Sequence, residues 1–262
     1  MKNKESNAKI FENGFKKLCY TRSPYTVWEN LMEMFATCLQ NGCTRYYLET
    51  GNEILINTWN KREKRYNDLA SKYSNEEIKL MAEMFAALTL ELSENPYQDF
   101  LGKMYMNLEI SNSDAGQFFT PFDVSKMCAE ITADHKTLRD AVKEKGFASV
   151  CDPSVGAGGM LIAGAYKCSK EFHRLDYKNH VYFVGQDLDI TCVHMCYIQL
   201  SLTGHAGYVL HGNTLTKPDF DYFKDNENIW TTPYYNSNIW QMRILFHGFG
   251  PLMEERKNKN GK

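Results

Sequence analysis

The chain has 262 residues and a formal net charge of −2, so no global positive field recruits nucleic acid, and any such binding would rest on a local patch. Hydrophobic residues account for 43% of the sequence and charged residues for 24%, which is typical of a soluble globular protein. No apolar run approaches the length of a membrane span, so we expect no association with a membrane.

Eight cysteines occur without a secretory signal sequence, which predicts a reducing, cytoplasmic location. None belongs to a C-x-x-C pair, so we expect no structural zinc site and no bound metal. Cys192 and Cys196 are four residues apart, with His194 between them. On a helix the two sulfurs share a face from which the histidine points away, so we interpret both cysteines as buried thiols.

The first part of the chain has the pattern of a helical domain. Apolar residues recur at helical spacing over residues 26–39, which predicts one helix there. Ser74 and Glu77 have the spacing of a capping box, which predicts the start of another helix, and the Asn-Pro pair at residues 95–96 ends it. We therefore predict a helical N-terminal domain over residues 1–112.

The second part, residues 113–262, alternates between strand and helix patterns. The predicted strands are residues 147–151, 181–184 and 208–211, and the predicted helices between them are residues 160–168 and 190–202. Strands separated by helices of this length indicate an α/β fold with a parallel sheet and right-handed crossovers. Residues 239–249 are a candidate for one further strand.

Polar residues follow each predicted strand. Asp152, Asp187 and Asn213 all fall at the carboxyl ends of the strands, and ligands of open parallel sheets bind at that edge. The sequence therefore predicts a ligand site there.

The turn after the first strand indicates what this site binds. It has the pattern D-P-x-x-G-x-G-G over residues 152–159, and its glycines allow a ligand to approach the backbone closely. The acid Asp152 would repel a phosphate and suit a cation, whereas Asp187 is placed to hold two ribose hydroxyls. Adenosine joined to a cation describes S-adenosylmethionine. A nicotinamide-dependent oxidoreductase is a less favoured alternative, because G-x-G-x-x-G does not occur here.

Three segments together resemble the adenine-specific DNA methyltransferases, in particular the modification subunits of type I restriction systems. They are G-Q-F-F-T-P at residues 116–121, D-P-S-V-G-A-G-G at residues 152–159 and G-Q-D at residues 185–187. D-F-L-G at residues 99–102 and G-N-T-L at residues 212–215 are also similar to segments of that family. The resemblance implies a Rossmann-like methyltransferase fold that depends on S-adenosylmethionine, behind the helical N-terminal domain.

The resemblance also implies a set of cofactor-binding residues. Four positions of the first segment would cover the methionine end of the cofactor, the glycine turn would form its cradle, Asp187 would hold the ribose and Asn213 would contact the adenine ring. These positions are Phe118, Phe119, Thr120, Pro121, Asp152, Pro153, Ser154, Gly156, Gly158, Asp187 and Asn213.

The catalytic motif of the family, [DN]-P-P-[YF], is not recognisable. W-T-T-P-Y-Y at residues 230–235 stands where it is expected, which makes Thr231, Pro233 and Tyr234 the candidate catalytic residues. A threonine hydroxyl can accept a hydrogen bond, but it lacks the planar carbonyl of Asn or Asp. A second near match, N-P-Y at residues 95–97, precedes the cofactor segments, and a helix stop explains it more simply.

Two functions follow from the resemblance. The first is methyl transfer from S-adenosylmethionine to the exocyclic amine of adenine in DNA. The alternative is a catalytically impaired relative that binds the cofactor and acts as a regulatory or DNA-modification partner subunit. Few residues follow Tyr235, so we expect a specificity subunit or another partner chain to supply DNA recognition and further strands.

Overall fold

The computed structural model describes residues 5–110, 119–132, 135–172, 176–216 and 227–243. The first part is helical, as predicted. Its helices are α1 (Asn7–Leu18), α2 (Pro24–Cys43), α3 (Glu53–Ala70), α4 (Asn75–Glu94) and α5 (Phe100–Asn107), with a short 3-10 helix at Arg45–Glu49. The helix predicted over residues 26–39 lies within α2, which is longer at both ends. It begins at Pro24, which occupies a favourable first-turn position.

The capping box of α4 is confirmed. Ser74 Oγ accepts a hydrogen bond from the amide of Glu77 at 3.2 Å, and a Glu77 carboxylate oxygen accepts one from the amide of Ser74 at 2.8 Å. Two amides that the start of the helix leaves without partners are thereby satisfied. The helix ends at Glu94, and Asn95 caps it as predicted.

The second part alternates between helices and strands. Its elements are α6 (Phe122–Thr132), α7 (His135–Lys145), β1 (Ala148–Asp152), α8 (Gly159–Glu171), a 3-10 helix (Tyr177–Asn179), β2 (Val181–Asp187), α9 (Ile190–Leu202), β3 (Gly207–His211) and β4 (Ile229–Thr231). All three predicted strands and both predicted helices are confirmed, with boundaries that differ by a few residues.

The sheet has the order β1-β2-β3-β4 and is mixed. The first three strands are parallel, with Asp152 opposite Gly185 and Asp187 opposite His211. Their carboxyl ends therefore meet at one edge, as predicted. β4 runs antiparallel to β3, with Thr231 opposite Tyr208 near the start of β3.

The further strand expected over residues 239–249 is not formed in the part that the structure describes. Residues 238–243 are helical instead, and residues 244–249 lie outside the described ranges. The indole of Trp240, which is 1% exposed, donates a hydrogen bond to the carbonyl of Lys178 at 3.1 Å. This contact joins the helical segment to the 3-10 helix that precedes β2.

One hydrophobic core connects the helical part with the sheet. Trp28 of α2, Leu88 of α4 and Ile198 of α9 belong to the same cluster, and each is 0% exposed. Helix α9 contributes ten buried residues, because α2 packs on it from the side opposite the sheet. The division predicted at residue 112 falls outside the described residues and stays a prediction. Within the described ranges, no helix is long and apolar enough to cross a membrane.

Candidate functional site

A cavity of about 220 Å³ lies at the carboxyl ends of β1 and β2. It is bounded by the glycine turn that follows β1, by the end of β2, by the start of α6 and by the start of α5. The lining residues are Asp99, Phe119, Thr120, Ser125, Asp152, Ser154, Val155, Gly156, Ala157, Gly159, Met160, Asp187 and Cys192. A site was predicted at this edge, and the structure places a cavity there.

Asp152 ends β1 and begins the glycine turn. One of its carboxylate oxygens accepts a hydrogen bond from the amide of Ser154 at 3.0 Å, which shapes the first step of the turn. Burial raises the pKa of the Asp152 carboxyl above its ordinary value, the amide of Ser154 opposes this rise, and the charge of Asp187 adds to it. A positive ligand in the cavity would favour the ionised form.

Asp187 ends β2 and holds the other side of the turn. Its Oδ2 accepts a hydrogen bond from the amide of Gly156 at 2.8 Å, and its Oδ1 accepts one from the amide of Asp189 at 3.0 Å. Each oxygen keeps a second lone pair, which is available to a ligand hydroxyl. The carboxylate therefore orders the turn from within the cavity wall.

The two middle glycines of the turn have different roles. Gly156 has a φ of +53° and lines the cavity, and a Cβ there would lie 3.1 Å from the ring of Phe119. Gly158 has a φ of +98° and begins α8, and a Cβ there would lie 3.0 Å from the sulfur of Cys196. Gly158 therefore allows the turn to approach Cys196 of α9 closely, and it does not line the cavity.

Several of the predicted cofactor residues lie beside the cavity rather than in its lining. Pro121 faces a groove of about 590 Å³ between α5 and α6, and Pro153 faces one of about 600 Å³ beside β1. The side-chain oxygen of Asn213 accepts a hydrogen bond from the amide of Leu215 at 2.9 Å. Phe118 lies outside the described residues.

Asp99 is a cavity residue for which the sequence analysis predicted no role. It caps α5, is 7% exposed, and accepts hydrogen bonds from the amide of Gly102 at 3.0 Å and from Gln199 Nε2 at 2.9 Å. Burial raises the pKa of its carboxyl, and these two hydrogen bonds oppose the rise. Its signal in the sequence was the D-x-x-G pattern at residues 99–102, which is typical of a helix cap and does not indicate a cavity.

Ser125 also lines the cavity and was not predicted. It lies on α6, is 1% exposed, and its hydroxyl has no hydrogen-bond partner among the described residues. A lone serine inside an amphipathic helix carries no recognisable signal in the sequence.

The candidate catalytic residues lie at the other end of the sheet. Because β4 is antiparallel to β3, Thr231 lies opposite Tyr208, near the amino end of β3. The Tyr234 hydroxyl donates a hydrogen bond at 2.7 Å to Oδ1 of Asn179, a residue that precedes β2. The length of β3, about 13 Å at about 3.3 Å per residue, separates this edge from the cavity. Thr231, Pro233 and Tyr234 therefore lie away from the cavity, and their catalytic role stays a prediction.

The charge of the cavity is uniform. Three aspartates line it, and none of its described lining residues is Lys, Arg or His. Buried carboxylates are stabilised by a positive partner, and a phosphate group would be repelled. An α/β sheet with a glycine turn and an acidic cavity at its carboxyl edge is suited to a cationic ligand that lacks phosphates.

Comparison with known proteins identifies the family of this chain. Residues 97–260, more than half of the chain, match the family model described as N-6 DNA Methylase, and the chain belongs to that family. A similar solved structure is the methyltransferase subunit of a type I restriction-modification system from Streptococcus thermophilus, with a TM-score of 0.39 and 16% sequence identity. That match covers 84% of this chain and 61% of the subunit, so the chain spans less than two thirds of the subunit's length. The predicted family is confirmed.

Proposed function

We propose that this chain binds S-adenosylmethionine in the acidic cavity and takes part in methyl transfer to the exocyclic amine of adenine in DNA, within a restriction-modification system. The observation that carries the proposal is the lining of three aspartates without a basic residue, built around the glycine turn of an N-6 DNA methylase family member. The sheet is then a variant of the Rossmann-like methyltransferase fold.

The residues present fit this cofactor. Asp187 would accept hydrogen bonds from the ribose hydroxyls, Asp152 would offset the positive charge, and Gly156 leaves room for close approach to the backbone. Ser125 offers a buried hydroxyl without a partner among the described residues. When bound, S-adenosylmethionine supplies a methyl group on a positively charged sulfur, which an amine nucleophile can accept.

The protein's own contribution at this site is binding and orientation. Phe119 packs on Gly156 and on Tyr105, with ring centroids 5.2 Å apart in the second pair, so an aromatic wall excludes water from one side of the cavity. Asp187 keeps the turn in shape before any ligand arrives, which lowers the ordering cost of binding. We propose DNA and a specificity subunit as the partners that complete target recognition.

The first test is calorimetric titration of the purified protein with S-adenosylmethionine. We expect Asp187→Ala to weaken binding at least about tenfold, because the ribose contact and the order of the turn are both lost. Tyr234→Phe is the matched control, since its hydroxyl bonds Asn179 at the far edge, and it should bind like the wild type. Circular dichroism checks that each variant is folded, and a folded wild type that does not bind contradicts the proposal.

Methyl transfer is then measured with labelled cofactor and adenine-containing DNA, with and without a specificity subunit. DNA in which every adenine already carries an N6-methyl group is the control, and it should accept no label. Incorporation into the unmodified DNA alone supports the proposed reaction. Binding without incorporation under both conditions would leave only the cofactor-binding part of the proposal.

A further inference from the structure

The Asp99 carboxylate is only partly used by its own helix. Among the described residues, its Oδ1 accepts both of the hydrogen bonds that the carboxylate receives, from Gly102 and from Gln199. Its Oδ2 lies 3.1 Å from the position that a Cβ on Gly159 would occupy and closer still to that of a Cβ on Gly102, so it lies between α5 and the glycine turn, at the wall of the cavity that Asp99 and Gly159 line. The helix-capping role therefore explains one oxygen and leaves the other at the wall of the cavity.

A second, independent observation points to a ligand at the same place. The buried Ser125 hydroxyl, which has no partner among the described residues, lies 3.6 Å from the same reference position at Gly159. A buried hydroxyl without a hydrogen bond is costly, and such groups are rare in folded proteins. Ser125 and Asp99 thus present a free acceptor and a carboxylate oxygen to one end of the cavity.

The charge at this end calls for a cation. Asp99 is almost fully buried, and none of the described lining residues is basic. Burying a carboxylate without a positive partner is unfavourable, and a ligand ammonium group can donate hydrogen bonds to Asp99 and Ser125 together.

We infer that Asp99 and Ser125 bind the positively charged amino group at the amino-acid end of the cofactor, and that Gln199 is the positioning residue that presents Asp99. This inference rests on the proposed function, since it assigns contacts within the same cavity. It adds to the sequence prediction, in which Asp152 was the residue that suited the positive charge of the ligand.

Gln199 has the contacts that a positioning residue needs. Its Nε2 donates to Asp99 Oδ1 at 2.9 Å and to the carbonyl of Ala157 at 2.7 Å, and its Oε1 accepts from the amide of Leu101 at 3.0 Å. The side chain is 0% exposed, so these bonds are shielded from water. One amide group therefore sets the distance between Asp99 and the glycine turn.

The test compares two ligands on the full chain. S-adenosylhomocysteine carries the amino-acid end, whereas 5′-methylthioadenosine has the same adenosine and sulfur without it. We expect Asp99→Asn to weaken S-adenosylhomocysteine binding about tenfold or more and to leave methylthioadenosine binding unchanged. Asparagine keeps an Oδ1 acceptor for Gly102 and Gln199, but it loses the charge and replaces the Oδ2 acceptor with an NH2 donor. Removing the charge of Asp99 would reduce its repulsion of the carboxylate of S-adenosylhomocysteine and so favour binding. A loss of affinity for S-adenosylhomocysteine alone therefore reports on its ammonium group.

Two further variants test the rest of the inference. Ser125→Ala and Gln199→Met should each weaken S-adenosylhomocysteine several-fold relative to methylthioadenosine. Asp140→Asn, on the exposed side of α7, is the control and should change neither affinity. Equal losses for both ligands, or a wild type without preference for S-adenosylhomocysteine, would overturn the inference. A folded wild type that binds neither ligand would instead overturn the proposed function.

Discussion

Gly156 shows how one residue determines the shape of the cavity. Its φ of +53° is a left-handed conformation that costs a residue with a side chain roughly 1 kcal/mol or more. The same position also faces the ring of Phe119, which a Cβ would approach to 3.1 Å. Conformation and contact therefore both favour glycine here.

Gly156→Ala should lower the free energy of unfolding by about 1–2 kcal/mol and weaken cofactor binding, because the turn must shift away from Phe119. The measurement is urea unfolding with a parallel calorimetric titration. Gly42→Ala is the matched control: Gly42 lies in α2 with nothing within 4 Å of an added Cβ, so this substitution should stabilise by about 0.5–1 kcal/mol. A change in the free energy of unfolding in the same direction for both variants would contradict this expectation.

The residues of the site differ in how well the sequence predicts them. Asp152 and Asp187 were predicted to face one site because parallel strands bring their carboxyl ends together, and both line the cavity. Asp99 and Ser125 reach it only through the packing of α5 and α6 against the turn, which no local pattern encodes. Thr231 lies at the opposite edge because β4 is antiparallel to β3, a direction that the local pattern of residues 229–231 does not encode.

At the scale of elements, the start of α4 joins two kinds of interaction. The Glu77 carboxylate caps the helix and also pairs with the Arg22 guanidinium, which stacks over Tyr73 at 4.6 Å. The hydrogen bond from Arg22, followed by that from the amide of Ser74, lowers the pKa of Glu77. Because its pKa is lower in the folded state, the ionised carboxylate stabilises the fold above its unfolded pKa, and this contribution is lost as pH falls through the folded pKa.

Ser74→Ala and Glu77→Gln should therefore differ in their pH dependence. Ser74→Ala removes a cap acceptor and should cost about 1 kcal/mol at both neutral and acidic pH. Glu77→Gln keeps the capping geometry and loses the pair with Arg22, so it should cost about 0.5 kcal/mol near pH 7 and almost nothing well below about pH 4. Urea unfolding at the two pH values measures both differences. If Glu77→Gln still lowers the free energy of unfolding at acidic pH, the charge of Glu77 is not the cause of the difference.

At the scale of the whole molecule, the continuous core predicts one unfolding transition. Leu88 of α4 is 0% exposed and belongs to the cluster that also holds sheet residues. Leu88→Ala should therefore lower the free energy of unfolding by about 2–5 kcal/mol. It should lower the unfolding midpoints of the helical part and of the sheet together. Far-ultraviolet circular dichroism and tryptophan fluorescence follow the transition. Leu90→Ala on the same helix, where the side chain is 54% exposed, should change little. Separate transitions by the two methods would indicate independently folding domains.

The three hydrogen bonds of Gln199 connect the occupancy of the cavity with the dynamics of a neighbouring helix. The amide of Leu101 donates to the same side chain that supports Asp99 and Ala157. A ligand that stabilises the arrangement of Asp99 and the turn must, by thermodynamic linkage, also stabilise the closed state of this amide. Exchange of the Leu101 amide with deuterium therefore reports ligand binding from a residue that does not line the cavity.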